Sequence, residues 1–348
     1  MQTEGQRTAK LATAGLRVGV IGYGYWGPNL TRNFAEHDGS IVCAVADRSP
    51  ARREAASKRY PSITTHQDAI ALIADNDIDA VAIATPVASH FDLALESLRA
   101  GKHVLVEKPL AASSQQGLQL IHEAEKRHLV LMVDHTFVYT GAVRKIHEMV
   151  VNDEIGPIYY YDSVRVNLGL FQTDINVIWD LAVHDLSIID RVMRNQPTAV
   201  SAHAVSHVSG YPENVGYVTL YFPDSQIAHI HVNWLAPVKV RTTLIGGRDR
   251  MIVYNDIEPS EKVKVYDKGA EPESGDRHDL LVKYRFGDMW APQLDNTEAL
   301  QVEIGHFIDC IRNSVEPITD GWAGLRVVKI LEAADRSIRD GGRLTKLD

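Results

Sequence analysis

Cysteine is almost missing from this 348-residue chain. Cys43 lies in an apolar run and Cys310 in a helical pattern, and there is no third. Two such residues support neither a disulfide framework nor a cysteine metal site, and they fit a reducing compartment. Clustered basic charge is missing too. The 36 Lys and Arg residues are spread along the chain against 45 Asp and Glu, giving a net charge of -9. With a pI near 5.9, that leaves no electrostatic footprint for nucleic acid or an anionic membrane surface. No stretch approaches the roughly 18 uninterrupted apolar residues of a membrane span. The opening "MQTEGQRTAKLATAG" has no segment suited to a signal h-region, so residues 1–15 read as a flexible tail on a cytoplasmic protein. Internal repeats and low-complexity segments are absent beyond that tail.

What is present is enough apolar sequence, 45% of residues, for a sizeable core, over a length that suggests two domains. From residue 16 to 140, short β-branched runs ("RVGVIG", "IVCAVAD", "DAVAIATP", "HVLVEKP", "LVLMVDH") alternate with helical patterns such as "DLALESLRAG". Strands that are apolar throughout, separated by helices, predict a parallel sheet covered on both faces. From 141 to 348 the pattern changes: "GPIYYYDSVRVN", "VGYVTLYFPD", "QIAHIHVNWLAP" and "RMIVYND" are strand-like runs joined by turn residues. That half predicts an α/β domain with an open, mostly antiparallel sheet. Residues 267–295, rich in charge, Gly and Pro and containing Trp290, read as a long surface loop able to lid a cleft.

"GVIGYGYWGPNL" sets Gly22, Gly24 and Gly27 between the first strand and the first helix. In that position Gly22 makes the tight turn, Gly24 lets backbone approach a pyrophosphate, and Gly27 lets helix and strand pack closely. The loop residues Tyr23, Tyr25 and Trp26 flank the same phosphates, which the N–H groups and dipole of the helix start attract. Asp47 ends the second strand 20 residues past Gly27, where a carboxylate accepts the adenosine-ribose hydroxyls and repels a 2′-phosphate. NAD is therefore expected over NADP, with adjacent Arg48 able to stack on adenine or to meet a phosphate. The plainer alternative is a strand-to-helix turn with a loop carboxylate nearby.

Glu107, Lys108 and Pro109 stand at the carboxyl end of a predicted buried strand, the edge at which open parallel sheets bind ligands. A lysine there faces the cleft, or simply ends the strand in solvent. Further on, "WDLAVHDLSIIDRVM" carries Asp180, His184, Ser187 and Arg191 on one stripe and Ala182, Leu186, Ile189 and Met193 on the other. The second stripe predicts the core side; the first is either a solvated face or a reactive one.

Together, "GVIGYGYWG", "ATPVASHFDLALESLRAGKHVLVEKPL", "WDLAVHD" and "EPITDGWAGLRVVKILEAADRS" resemble the glucose-fructose oxidoreductase, inositol dehydrogenase and rhizopine-catabolism (Gfo/Idh/MocA) family over nearly the whole chain. The resemblance implies an N-terminal Rossmann NAD-binding domain, a C-terminal α/β substrate and oligomerisation domain, and an active site between them. It places Thr85, Pro86 and His90 in a cofactor loop, Glu107 at the nicotinamide ribose, and Lys108 at both cofactor and substrate, with a cis Lys108–Pro109 bond. Asp180 and His184 match the family's D-x-x-x-H pair. An imidazole titrates near neutrality, so His184 can take the proton from a substrate hydroxyl as hydride leaves for nicotinamide. Lys108 then steadies the developing alkoxide, and Asp180 binds a neighbouring hydroxyl or steers the imidazole. Which of Lys108 and His184 moves the proton stays open.

Arg165, Asn167, Asn176 and Trp234 are candidates for the substrate pocket, each with a structural role as the alternative. Phe137 and Tyr139 follow the last Rossmann strand, where relatives place ligand contacts, while Asp134 departs from the small residue common there. His203 with His207 and His229 with His231 share strand faces, but without a third ligand no metal site is expected. "VRVNLGLFQTDINVIWDLAVHDLSII" is most similar to members that act at C-3 of nucleotide-linked sugars. The expected function is NAD-dependent interconversion of a secondary alcohol and a ketone on such a sugar, by a homodimer or homotetramer. The rivals are a myo-inositol or free-sugar dehydrogenase, an NAD-using glycoside hydrolase, and an NAD-sensing protein without chemistry.

Overall fold

A computed structural model describes residues 15–169, 171–272 and 282–347, so the tail expected over 1–15 lies outside it save for Gly15. The chain divides into two compact units: residues 1–139 with 297–328, and residues 140–296 with 329–348. This differs from the expected boundary, which gave everything after 140 to one C-terminal domain.

The first unit is built on six parallel strands in the order β3-β2-β1-β4-β5-β6. They are β1 (Leu16–Ile21), β2 (Ser40–Ala46), β3 (Thr64–His66), β4 (Ala80–Ile83), β5 (His103–Glu107) and β6 (Leu131–Asp134). Five are the apolar runs of the sequence, buried almost throughout because helices cover both faces. The sixth, β3, is a three-residue polar edge, "TTH", without an apolar signal. Helices α1 (Gly27–Glu36), α2 (Pro50–Arg59), α3 (Ala69–Ile73), α4 (His90–Arg99) and α5 (Ser114–Arg127) connect the strands. The order reverses at β1 and β4, the switch point beside which such sheets bind dinucleotides.

The second unit opens with α6 (Gly141–Val151) and β7 (Ile158–Leu168), followed by α7 (Val183–Val192). The remaining strands of its main sheet are β8 (Ala199–Val205), β9 (Val215–Tyr221), β10 (Ile227–Asn233), β11 (Leu235–Gly247), β12 (Met251–Asn255) and β13 (Val263–Tyr266). A hairpin of β14 (Gly269–Pro272) and β15 (Val282–Arg285) follows, and then β16 (Met289–Trp290). The main sheet runs β16-β13-β12-β11-β7-β10-β9-β8-β17, closed at one edge by β17 (Thr345–Lys346). Its pairs are antiparallel except β7 with β10. Alternation is clean: Tyr161, Ile230, Val218, Ile245 and Ile252 are buried on one face, while Tyr160, His229, Tyr217 and Val253 of the other keep contact with solvent. The loop expected over 267–295 is corrected where it is described, by β14, β15 and β16; residues 273–281 lie outside the described residues. Trp290 pairs with Val265 on the sheet edge under the Arg250 guanidinium, 5.3 Å from its ring centre, and so forms no lid.

Two further helices, α8 (Ala299–Asn313) and α9 (Gly321–Arg339), follow the second sheet in sequence. Leu300, Ile304, Phe307, Ile308 and Ile311 recur on one face of α8 and enter the same core as Leu16, Val20, Leu30 and Phe34. Phe307 packs edge-on to Phe34 at 6.2 Å. Arg32 reaches Glu298 at 2.6 Å, and Arg312 donates to Gly39 O at 3.0 Å. An amphipathic helix must bury its stripe somewhere, and this one buries it in the Rossmann unit. That is the physical reason for the discontinuous boundary.

Candidate active site

In the first unit the glycine loop has the geometry its spacing predicts. Gly22 holds φ +92°, and a Cβ there would lie 2.5 Å from Ala84 O, whereas a Cβ on Gly27 would lie 2.0 Å from Gly22 O. Neither position tolerates a side chain. At Gly24 a Cβ would meet only the Arg52 side chain, at 3.5 Å, which leaves the backbone open to an approaching group. Helix α1 starts with Pro28 in its first turn, no acidic residue there, and no side-chain cap from Trp26. The Asn29 and Leu30 N–H groups turn to Trp26 O, so the helix start offers an anion chiefly its dipole. These features fit a dinucleotide pyrophosphate.

Around the loop, several expected contacts take other roles. Tyr23 is a correction: its ring is buried in the core, and its N–H donates to Asp47 Oδ2 at 2.8 Å. Asp47 also accepts from Ser49 N at 2.8 Å and faces Arg52 Nη1 at 3.6 Å, so it ties the two phosphate-side turns together. Each oxygen keeps a second lone-pair direction for a ribose hydroxyl. Arg48 is exposed, Tyr25 is 85% exposed, and Trp26 is half-buried with its indole N–H on Asp134 Oδ2 at 2.8 Å. Thr85 takes the Ser89 hydroxyl at 2.8 Å, and Pro86 is exposed. His90 is a second correction, being fully buried with Nδ1 on Pro109 O and Nε2 on Thr85 O, both at 2.8 Å. It clamps the ends of β4 and β5 together instead of facing a ligand. Burial pushes its pKa down, against the pull of those two carbonyls.

Glu107 and Lys108 leave the carboxyl end of β5 half-buried, and the Lys108–Pro109 bond is cis, as the resemblance implies. Glu107 Oε1 is buried without a partner. Burial and then the Asp134 carboxylate hold its pKa well above the usual carboxylate range. Tyr139 is buried in the core with its hydroxyl on Thr319 Oγ1 at 2.9 Å, which removes it from any ligand.

In the second unit, residues 178–182 wind as one π-turn that runs into α7, a local widening that recurs at functional sites. Asn176 is a further correction: its Oδ1 accepts from Ile178 N and Trp179 N, both at 3.1 Å, and its amide reaches Asp335. It therefore starts the helix rather than lining a pocket. Asp335 also accepts from Trp179 Nε1 at 2.8 Å. Trp234, expected in the pocket, is fully buried, and its indole N–H donates to Asp180 Oδ2 at 3.1 Å. Arg165 is 4% exposed and engages Asp185, Nε to Oδ2 at 2.7 Å and Nη2 to Oδ1 at 3.4 Å. A guanidinium so committed inside the unit is not presented to substrate. Asn167 is half-buried with Oδ1 lacking a partner, so it keeps the capacity to meet one.

The polar stripe of α7 is narrower than its spacing implies. Ala182, Leu186, Ile189 and Met193 are buried as expected, but so are Val183, Ser187, Ile188 and Val192. Ser187 donates to His184 O at 2.8 Å. Partly open along the π-turn and α7 are Asp180, Leu181 and His184, with Asp190 and Arg191 farther on.

Comparison with known sequences settles the lineage. Residues 16–135 match the model of the oxidoreductase family with NAD-binding Rossmann fold, and residues 143–253 match the GFO/IDH/MocA C-terminal domain. The chain belongs to the GFO/IDH/MocA family. It is an oxidoreductase, and its Rossmann domain takes NAD. It is 28% identical to the UDP-N-acetylglucosamine 3-dehydrogenase of Acidithiobacillus ferrooxidans, over 90% of this chain and 94% of that protein. It is 22% identical to the scyllo-inositol 2-dehydrogenase (NAD(+)) of Bacillus subtilis, over 94% and 95%. Its fold follows that of a levoglucosan dehydrogenase in complex with NADH, with a TM-score of 0.82, 19% identity, and coverage of 96% of this chain and 99% of that one.

Among the GFO/IDH/MocA residues of this chain, sequence reasoning missed Asp185, Asp335 and Glu303. Each was detectable as a carboxylate among residues spaced for burial; Glu303, for one, falls between Leu300, Ile304 and Phe307 on the apolar stripe of α8.

Proposed function

We propose that the protein interconverts a secondary alcohol and a ketone at C-3 of a nucleotide-linked sugar, with NAD preferred over NADP. The observation that carries this reading is that Asp180 and His184 both stay partly open where the π-turn runs into α7, with Asp180 fixed by the Trp234 indole. Bound NAD supplies the hydride acceptor. His184 takes the hydroxyl proton, a role worth roughly 10²–10⁴-fold in rate. Lys108 hydrogen-bonds the same oxygen and stabilises its negative charge as it develops. Asp180, held by the Trp234 N–H on Oδ2, orients an adjacent sugar hydroxyl. Asn167, with its free carbonyl oxygen, adds a polar contact. The likeness to a UDP-N-acetylglucosamine 3-dehydrogenase supports the nucleotide-sugar class over a free cyclitol.

The same proposal places the enzyme in the cytoplasm, where Cys43 and Cys310 stay as free thiols. It also covers the open sheet face, which carries Tyr160, Tyr217 and Tyr221, with a second copy in a homodimer or homotetramer. No described helix is long and apolar enough to cross a membrane.

The test is a screen of UDP- and dTDP-sugars against myo-inositol for NADH production. Nucleotide sugars are expected to reduce NAD; turnover of myo-inositol alone sinks the substrate assignment, and glycoside cleavage without NADH sinks the dehydrogenase reading. Lys108→Ala and His184→Ala should each lower turnover by at least about 100-fold while leaving NAD affinity within about twofold. Unchanged turnover in either variant removes that residue from the mechanism.

A further inference from the structure

Asp134 ends β6 beside Glu107 at the end of β5, its direct partner in the sheet, and is 1% exposed. Its Oδ2 takes the Trp26 indole N–H at 2.8 Å, and its Oδ1 takes the Thr136 hydroxyl at 2.5 Å. Behind it stands Glu303 of α8, wholly buried, with neither carboxyl oxygen receiving a hydrogen bond. The Thr136 hydroxyl, which faces Glu303 as well, gives its proton to Asp134. Three carboxyl groups therefore adjoin, and the indole and hydroxyl protons both go to the middle one. Such a group is stable only while protons remain on its outer members.

We propose that Asp134 is a positioning residue for the dinucleotide, holding the glycine loop through Trp26 with a grip that loosens when the adjoining Glu107 and Glu303 lose their protons.

The titratable groups facing Asp134 are Glu107, with Lys108 next to it, from β5, Glu303 from α8, and Tyr139 after β6, itself against His306. The glycine loop contributes the uncharged Trp26 indole. Burial, reinforced by Asp134, raises the pKa of both glutamates well above the usual range. Each acid is therefore protonated at a pH where an exposed glutamate is not. As pH rises through those values, repulsion within the trio drives Asp134 from the indole and leaves the N-terminal turn of α1 less ordered. This inference rests on NAD binding alone and is independent of the sugar.

The experiment titrates the apoenzyme with NAD and, separately, with ADP-ribose from about pH 5 to about pH 9. Wild type should lose roughly tenfold in affinity for both ligands across that range. Asp134→Asn keeps an acceptor for Trp26 and removes the central charge, so its affinity should match the wild-type maximum and stay flat with pH. Asp134→Ala should bind about tenfold more weakly at every pH. Where that variant does not fold, Trp26→Phe, which removes the donor, should do the same. Without ligand, the difference in emission between wild type and Trp26→Phe should shift to the red as pH rises, and Asp134→Asn should abolish the shift. A pH-independent wild-type affinity, a slope that survives in Asp134→Asn, or full affinity in Trp26→Phe overturns the proposal.

Discussion

The buried Arg165–Asp185 pair gives the sharpest test of which polar residues serve the fold and which serve the chemistry. Both side chains are nearly inaccessible, at 4% and 2%, and they meet through two contacts at 2.7 and 3.4 Å. Asp185→Ala takes from the buried guanidinium the carboxylate it meets between β7 and α7, where breaking a buried pair costs about 3–5 kcal/mol. At roughly 2–4 °C per kcal/mol for a domain of this size, the melting temperature should fall by roughly 6–20 °C. Replacing both partners with apolar groups, Arg165→Met with Asp185→Leu, removes the isolated charge, and such swaps are often neutral or stabilising. The double variant should therefore melt near wild type and keep its turnover. The assays are thermal unfolding followed by circular dichroism and steady-state NADH production on all four members of the cycle. A double variant that is stable but inactive would return Arg165 to the substrate site. A single variant that melts within about 1 °C of wild type would show that the pair bears no strain at all.

Two more outcomes follow from the first unit. Gly27→Ala sets a methyl 2.0 Å from Gly22 O, so either the turn or the start of α1 must move, and NAD affinity should fall at least about 100-fold in a binding titration. Because burial lowers the pKa of His90, the unfolded chain binds its proton more readily than the folded one. The stability this imidazole supports is thus full above its ordinary value of 6.5 and is lost as pH falls through the lowered one. Melting curves should show His90→Asn with a shallower acid limb than wild type, and parallel limbs would refute the assignment.

The Rossmann strands were legible because burial on both faces writes an uninterrupted apolar run, as in "VLVE" and "AVAI". β3 was not, because a three-residue edge strand buries too little to leave that trace. The second sheet could be read strand by strand from alternation, but its order, with β10 parallel to β7, is set by long-range pairing that no local pattern encodes. The glycines could be placed because backbone geometry allows them few alternatives. Trp234, Asn176 and Arg165 could not, because the same donors serve a ligand or a neighbouring carboxylate, and only the packing decides. Glu303 went unread because glutamates usually lie at the surface, although its position on the α8 stripe pointed inward.

The helix carrying Phe307 has a consequence for biosynthesis. All six strands of the nucleotide fold leave the ribosome before the segment that walls off one side of their interior. Until residue 311 has emerged, Leu30 and Phe34 have no complete seat, so the amino-terminal half waits, partly built, while the second sheet is still being made. A fragment cut at residue 140 would keep every strand of the nucleotide fold and still present a greasy cleft to any passing chaperone.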